Sequence, residues 1–280
     1  MNDLDLFQDA GGSWITSSHI RALLEKTGAA DARVLYIHTG LTFGPPNPKL
    51  SRREMLDHLY GLIASLGVPT ICVPTYTFSF CNGEDYNVQT SRSQMGALNE
   101  HIRKLPAAVR SRDPLLSTAL VGEDRDLVEN LGKHSIGEDS TFDRLHRHGG
   151  NARFLFFGAL PSQCFTYLHY VEERLKVPYR YDREFTGKIT DGDRTWEDTY
   201  TLFVRYKGVL PTSRTTLEDD LLAQGLLRRE TCGASSISSV KEPDAYEAMV
   251  RHLKRDPLAF LDAEPGDRNR EFAARNMVAL

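Results

Sequence analysis

Residues 162–181, SQCFTYLHYVEERLKVPYRY, place Thr166, His169 and the pair Glu172–Glu173 at steps of three or four. On a helix, Thr166, His169 and either glutamate share one face. Phe165, Leu168, Val171 and Leu175 make the adjoining apolar face, so His169 falls at the edge of the core. A carboxylate one turn away would fix the imidazole tautomer and raise its basicity, as a general base requires. The same spacing admits an exposed helix edge stabilised by an i,i+3 pair. It also admits two ligands of a metal, although His134, His146 and His148 read as loop residues and offer no partner spacing. A thiol nucleophile would pair Cys164 with His169, but five residues along a helix put them on poorly matched faces.

The elements that must carry these residues alternate between helix and strand. Ser17 or Ser18 is placed to cap a first helix bearing Ile20, Leu23 and Leu24. RVLYIH (33–38) has the length and branching of a buried strand. SRREMLDHLYGLIASLG begins with a capping box, Ser51 with Glu54, and stops at Gly67; VPTICVP follows as a second buried strand. This strand–helix–strand order predicts an α/β protein, a three-layer α/β/α arrangement with a mixed, partly parallel central sheet. A helix at QMGALNEHIRKL, a strand at TALVG (118–122), a short helix near DRDLVENLG and a strand at RFLFFG (153–158) continue the pattern. One helix is expected over the His169 segment. FTGKITDGDRTWEDTYTLFVRYKG then reads as two strands around an Asp-Gly turn. Thr215 with Glu218 makes a second capping box, CGASSISSV is a short polar strand or loop, and Pro243 opens a last helix. With no repeat or linker, residues 1–280 read as a single domain with a β-rich excursion at about 181–240.

In an α/β sheet, ligand groups collect beyond the carboxyl ends of strands. Four polar runs fall at such ends: HTGLTFG (38–44), PTYTFSF (74–80), RSRDPLLS (110–117) and QCFTYLHYVEE. Hydroxyls, glycines and arginines there suit an extended anionic ligand.

Composition narrows the class of function. Of 280 residues, 40% are hydrophobic and 26% charged, the balance of a soluble globular chain. A net charge of −4 with scattered basic residues argues against a nucleic-acid partner; the groups RHLKRDP and GLLRRE read as solvated helix faces and ends. The four cysteines (72, 81, 164 and 232) fit neither a zinc knuckle nor a CxxC motif, so reduced thiols in a cytoplasm are expected. The acidic start MNDLDLFQDAGG lacks the pattern of a signal peptide, and no apolar run approaches the ~20 residues of a membrane span.

MGALNEHIRKLPAAVRSRDPLLSTALVG, followed by STFDRL, RFLFFGA and TYLHYVEE, resembles the aminoglycoside 3-N-acetyltransferase family, in order and over most of the chain; LYIHTGLTFG and VPTYTFSF resemble its first two strand-end loops. The resemblance implies an acetyl-CoA-dependent N-acyltransferase of α/β/α architecture, distinct from the GNAT enzymes, without a metal. It implies His169 as the base that takes the amine proton, Glu172 as its motif partner and Glu100 as a second residue able to orient the ring. His38, Thr39 and Gly40 would lie against the thioester, their backbone N–H groups holding the developing oxyanion. Thr75, Thr77, Arg110, Ser111 and Ser117 would line the coenzyme site, Arg110 being suited to phosphate. Thr166, Glu173 and Asp113 would face the acceptor. Asp113 replaces the family's histidine, Thr141 its proline, and HTG a more serine-rich loop. These departures shift the expected acceptor toward an amino sugar, free or nucleotide-linked, with aminoglycosides as the alternative. The expected partners are thus a small-molecule amine and acyl-CoA, with a homodimer possible in principle and no nucleic acid or membrane. A metal-dependent hydrolase and a non-catalytic coenzyme binder are the remaining alternatives.

Overall fold

In the computed structural model, which describes residues 3–211 and 214–261, the chain opens with a short antiparallel pair, β1 (Asp5–Gln8) and β2 (Trp14–Thr16), leading into α1 (Ser17–Lys26). The cap of α1 is Thr16, whose side chain accepts from the backbone N–H of His19. Ser17, one of the two expected caps, instead accepts from Leu4 N and donates to Asp3, tying the pair to the helix. Then come β3 (Val34–Thr39), α2 (Arg52–Ala64), β4 (Thr70–Pro74), β5 (Tyr86–Asn87), α3 (Ala97–Arg103), β6 (Val109–Arg110) and β7 (Thr118–Gly122). The Ser51–Glu54 capping box of α2 is complete in both directions. The stretch near DRDLVENLG makes only a 3₁₀ turn, Arg125–Leu127.

α4 (Thr141–Arg147), β8 (Ala152–Phe157), α5 (Pro161–Cys164) and α6 (Leu168–Arg174) precede a long hairpin, β9 (Arg180–Asp191) and β10 (Arg194–Arg205). Its twelve residue pairs run without a bulge to a two-residue Gly192–Asp193 turn. The chain finishes with α7 (Thr215–Ala223), β11 (Arg228–Cys232), β12 (Ser235–Lys241) and α8 (Glu242–Arg255). Pro243 stands in the first turn of α8, where its missing N–H leaves no bond unmade. The cap position of α7 is Arg214, in the left-handed region, without a side-chain cap bond. Glu218 is drawn away from the expected capping box because it accepts from Ser162 N at 2.6 Å and pairs with Arg229.

Seven strands form the main sheet in the order β11-β12-β8-β3-β4-β7-β6. The centre, β8-β3-β4, is parallel and the flanks are antiparallel. The β-rich excursion is therefore shorter than 181–240: β9 and β10 leave to form a second sheet with β5, whereas β11 and β12 return to the main one. CGASSISSV contributes a regular strand beside β8, with Ser236, Ser238 and Ser239 buried, and GLLRRE leads into the edge strand β11 rather than a helix end.

Alternate residues of β3 belong to different cores. Val34 and Tyr36 join a cluster containing Leu145, Leu168, Leu221 and Met249, from α4, α6, α7 and α8. Leu35 and Ile37 join one containing Leu24, Leu59 and Ile102, from α1, α2 and α3. That is the period-two geometry of a strand buried on both faces. Both apolar layers stop where β3 and β4 end, and the site lies there. Among the described residues, no helix is long and apolar enough to cross a membrane.

Candidate active site

The helix expected over the His169 segment is broken in two. Phe165, at φ −73° and ψ 79°, ends α5. Its ring is wholly buried, edge-on to Phe154 and Phe156 of β8, so packing of that ring overrides local helical preference. Thr166 lies in the intervening turn, its carbonyl accepting from His169 N at 2.9 Å. The break turns Gln163, Cys164, Thr166 and His169 onto one wall of a cleft of about 330 Å³. The other walls are His38 and Thr39 at the end of β3, Pro74, Tyr76 and Phe78 after β4, Met95 and Asn99 around α3, and Leu116 before β7. All four strand-end runs meet here.

His169 is held from behind by two groups, one of them braced by a third. Its Nδ1 lies 2.7 Å from Oε2 of Glu172 and 2.8 Å from Nη2 of Arg180. One ring nitrogen cannot satisfy both. A charged acceptor outweighs a second donor, so Nδ1 carries the proton and donates to Glu172, leaving Nε2 bare. Arg180 also sits 2.9 Å from the same carboxylate oxygen through Nε and donates through Nη1 to Phe203 O at 2.9 Å. The Tyr179 hydroxyl donates to Oε1 of Glu172 at 2.7 Å. Burial alone would raise the Glu172 carboxyl. The Arg180 charge and the bonds from His169 and Tyr179 outweigh it and hold the group down at about 2. For His169, burial and then the Arg180 charge lower the imidazole to about 4, against the opposing pull of Glu172. The ring is therefore neutral at physiological pH, with Nε2 available as a base.

His38 shares the cleft but differs in kind. Its ring is 3% exposed and stacked 5.3 Å from Phe156 at 9°, and burial depresses it to about 3. Its Nε2 has no hydrogen-bond partner. The Thr39 hydroxyl donates to Oδ1 of Asn99, whose Nδ2 donates to Pro74 O, so Asn99 ties the end of β3 to that of β4. The Gly40 N–H donates to Phe157 O. A Cβ at Gly40 would stand 2.0 Å from Gly158 O, which explains glycine where two strand-end loops touch.

Most of the other expected site residues turn inward. In the extended segment after β4, Thr75 and Thr77 are buried, while Tyr76 and Phe78 line the cleft. Ser117 is wholly buried, donating to Thr75 O, while Ser111 accepts from Thr118 N. Arg110 does not await a phosphate: its guanidinium donates to Thr75 O and Oγ1, Val88 O and Ser91 O, and lies over the Tyr86 ring. Asp113 accepts from Leu115 N, Leu116 N and Ser135 Oγ. It therefore shapes the turn that presents Leu116 and borders a different cleft, of about 820 Å³. Glu173 pairs with Lys176 on the far side of α6. Glu100 pairs with Arg103 and Lys104 and accepts from Ser93 N; its helix neighbour Asn99 reaches the cleft in its place, so Glu172 is the carboxylate at the imidazole.

The alternative chemistries find little support in this geometry. Cys164 does share the cleft, because the helix is broken, but its thiol donates to Leu160 O and burial pushes it up to about 12. The Arg180 guanidinium stands beside Nδ1 of His169 and Oε2 of Glu172, so a cation bridging those two atoms would meet a like charge. His146 lies within α4 rather than a loop, bonded to Glu242. Among the described residues, one group of possible metal ligands, Asp124, Asp126 and His148, lies together. It sits at the opposite end of β4, where Asp124 already accepts from Thr70 and Arg33.

The sequence model of the aminoglycoside 3-N-acetyltransferase family matches residues 66–254, which include His169, Glu172 and Arg180. The chain belongs to that family. Aminoglycoside N(3)-acetyltransferase VII of Streptomyces paromomycinus is 32% identical over 170 residues, 57% of this chain and 58% of that protein. The chain thus spans under two thirds of that relative's length. Aminoglycoside N(3)-acetyltransferase IX of Micromonospora chalcea is 26% identical over 268 residues, 84% of this chain and 92% of that protein. Among solved structures, apo AAC(3)-IVa superposes with a TM-score of 0.72 at 20% identity, covering 93% of this chain and 97% of that one. AAC-IIIb, in a binary complex with CoASH, gives 0.71 at 18%, covering 85% and 96%. The three-layer fold of this chain is therefore the fold of aminoglycoside acetyltransferases.

Proposed function

We propose that this chain is a cytoplasmic acetyl-CoA-dependent N-acetyltransferase in which His169 removes the proton of an acceptor amine. The observation that carries the reading is the neutral imidazole, fixed at Nδ1 by the buried Glu172–Arg180 pair, with Nε2 free at a cleft built from four strand ends. The amine nitrogen forms the new C–N bond to the acyl carbon. The C–S pair leaves on sulfur, and the proton taken by His169 is returned to that thiolate. The imidazolium that exists in between is stabilised by Glu172, which Tyr179 and Arg180 keep ionised. No covalent enzyme intermediate is needed, in keeping with the masked thiol of Cys164.

The cleft fits a pantetheine arm better than a polyanion, since its walls are apolar at Pro74, Tyr76, Phe78, Met95 and Leu116. Phosphate recognition falls to a second cleft, of about 540 Å³, on the other side of residues 93–100, where Arg52 and Arg92 stand exposed beside Ser93 and Gln94. These guanidiniums, rather than Arg110, would hold the coenzyme phosphates.

The names of both curated relatives support an aminoglycoside nitrogen as the acceptor ahead of the amino-sugar reading. One observation favours amino sugars: no carboxylate lines the cleft among the described residues, so a polycation meets no counter-charge on its walls. Thiol release from acetyl-CoA with a panel of aminoglycosides and free and nucleotide-linked amino sugars tests the reading. Turnover is expected with at least one class and should fall at least 100-fold in His169→Ala; parental turnover in that variant refutes the base.

A further inference from the structure

His38 is a buried imidazole whose Nε2 has no protein partner, on the wall of the cleft that also holds His169. Native interiors rarely leave such a group unpaired, and those that do are explained by a ligand, a water or a catalytic task. Its position is not loose. Stacking on Phe156, edge contact with Phe165 at 6.2 Å and contact with Tyr36 at 5.5 Å fix the ring plane. Of the backbone donors expected at the thioester, the Gly40 N–H is already committed to Phe157 O, and the adjacent Thr39 hydroxyl is tied to Asn99. The imidazole is the polar group at the end of β3 left without an internal bond.

We propose that His38 is a second catalytic imidazole, donating a hydrogen bond from Nε2 to the carbonyl oxygen of the acyl donor. The assignment rests on the transferase reading above. As the C–N bond forms, negative charge develops on that oxygen, and a donor whose ring plane is already fixed at the cleft wall needs little reorganisation to meet it. The proton stays on His38 throughout, while His169 handles the amine proton. Two histidines in one cleft thus divide the work: His169, braced by a carboxylate and a guanidinium, takes a proton, and His38, held only by aromatic rings, keeps one. Burial suits the second role because it holds the ring neutral across the working range.

His38→Phe keeps the stacking shape and removes both nitrogens, and His38→Gln restores one N–H donor. Three readouts are taken together: thermal melting without ligand, calorimetric affinity for acetyl-CoA and for free CoA, and kcat from thiol release. His38→Phe should melt a few degrees higher than the parent, because an unpaired buried polar group is gone. It should bind free CoA unchanged, lose several-fold affinity for acetyl-CoA and lose about 100-fold or more in kcat, with His38→Gln recovering part of both losses. An unchanged kcat, or equal loss of acetyl-CoA and free CoA affinity, overturns the assignment. If the parent turns over no amine, the transferase reading fails, and the affinity comparison alone then decides whether His38 meets the acyl carbonyl.

Discussion

Replacing Arg180 with methionine removes a cation 2.8 Å from Nδ1 of His169 while keeping most of the aliphatic stem. With the charge centres about 4 Å apart and an effective dielectric near 20, the repulsion of a protonated ring is about 4 kcal/mol. At 1.36 kcal/mol per unit, that is roughly 3 pH units. His169 stands at about 4 in the parent, so the variant should titrate measurably higher, with burial, the larger cause of the depression, still in place. The assay is an NMR titration of the imidazole Cε1 proton, assigned by its absence in His169→Ala, on protein without substrate. Breaking a buried pair costs about 3–5 kcal/mol, so the titration belongs well below the melting temperature. Arg180→Lys, which keeps the charge, serves as the control and should leave His169 low. If His169 still titrates near 4 in Arg180→Met, burial alone sets its basicity and the guanidinium has no electrostatic part in the site.

Three further outcomes are expected. Folded His169 and His38 stand at about 4 and 3, below the ordinary 6.5, so the unfolded chain binds those protons first as pH falls. Each histidine therefore withdraws about 1.4 kcal/mol of stability per pH unit from about pH 6.5 down to its folded value; melting curves at pH 7, 5.5 and 4.5 should show a shallower fall in His38→Phe, and equal slopes would count against the buried neutral ring. Gly40→Ala must push its Cβ away from Gly158 O, which should cost about 3 kcal/mol, read as a lower denaturant midpoint; an unchanged midpoint would mean the loops part freely. Arg92→Ala should raise KM for acetyl-CoA several-fold, most at low salt, while leaving a short N-acetylcysteamine thioester unaffected; equal effects on both donors would move the phosphate site elsewhere.

The alternation of elements, a partly parallel sheet and the placing of four polar runs at strand ends were legible in the chain, because buried strands and helix caps leave local signatures; that the four runs meet was not. Which residues of those runs face the cleft was not. The family resemblance implies Thr75, Thr77, Ser111 and Ser117, yet backbone alternation sends Thr75 and Thr77 inward and presents Tyr76 and Phe78. The hydroxyls of Thr75, Thr77 and Ser117 satisfy loop carbonyls, and the rings of Tyr76 and Phe78 line the cleft. Asn99 and Glu100 are adjacent on α3, so roughly 100° of helix rotation decides which reaches His169's side of the molecule, and only packing fixes that rotation. Phe165 breaks its helix without a proline or glycine to announce it. Arg180 follows His169 by eleven residues, but its role depends on a strand that folds back alongside α6.

That strand gives the hairpin an unexpected reach. Arg180 is the first residue of β9, paired with Arg205, and the unbroken ladder runs from there to Asp191 and Arg194 at the tip. Eleven steps at about 3.3 Å place the turn roughly 36 Å along the strand from the residue that tunes the base. In such a hairpin the turn dictates register, and a slip of one residue reverses every side chain. A one-residue insertion between Gly192 and Asp193 that the turn did not absorb would slide Phe203, whose carbonyl accepts from Arg180, out of its place opposite Asp182.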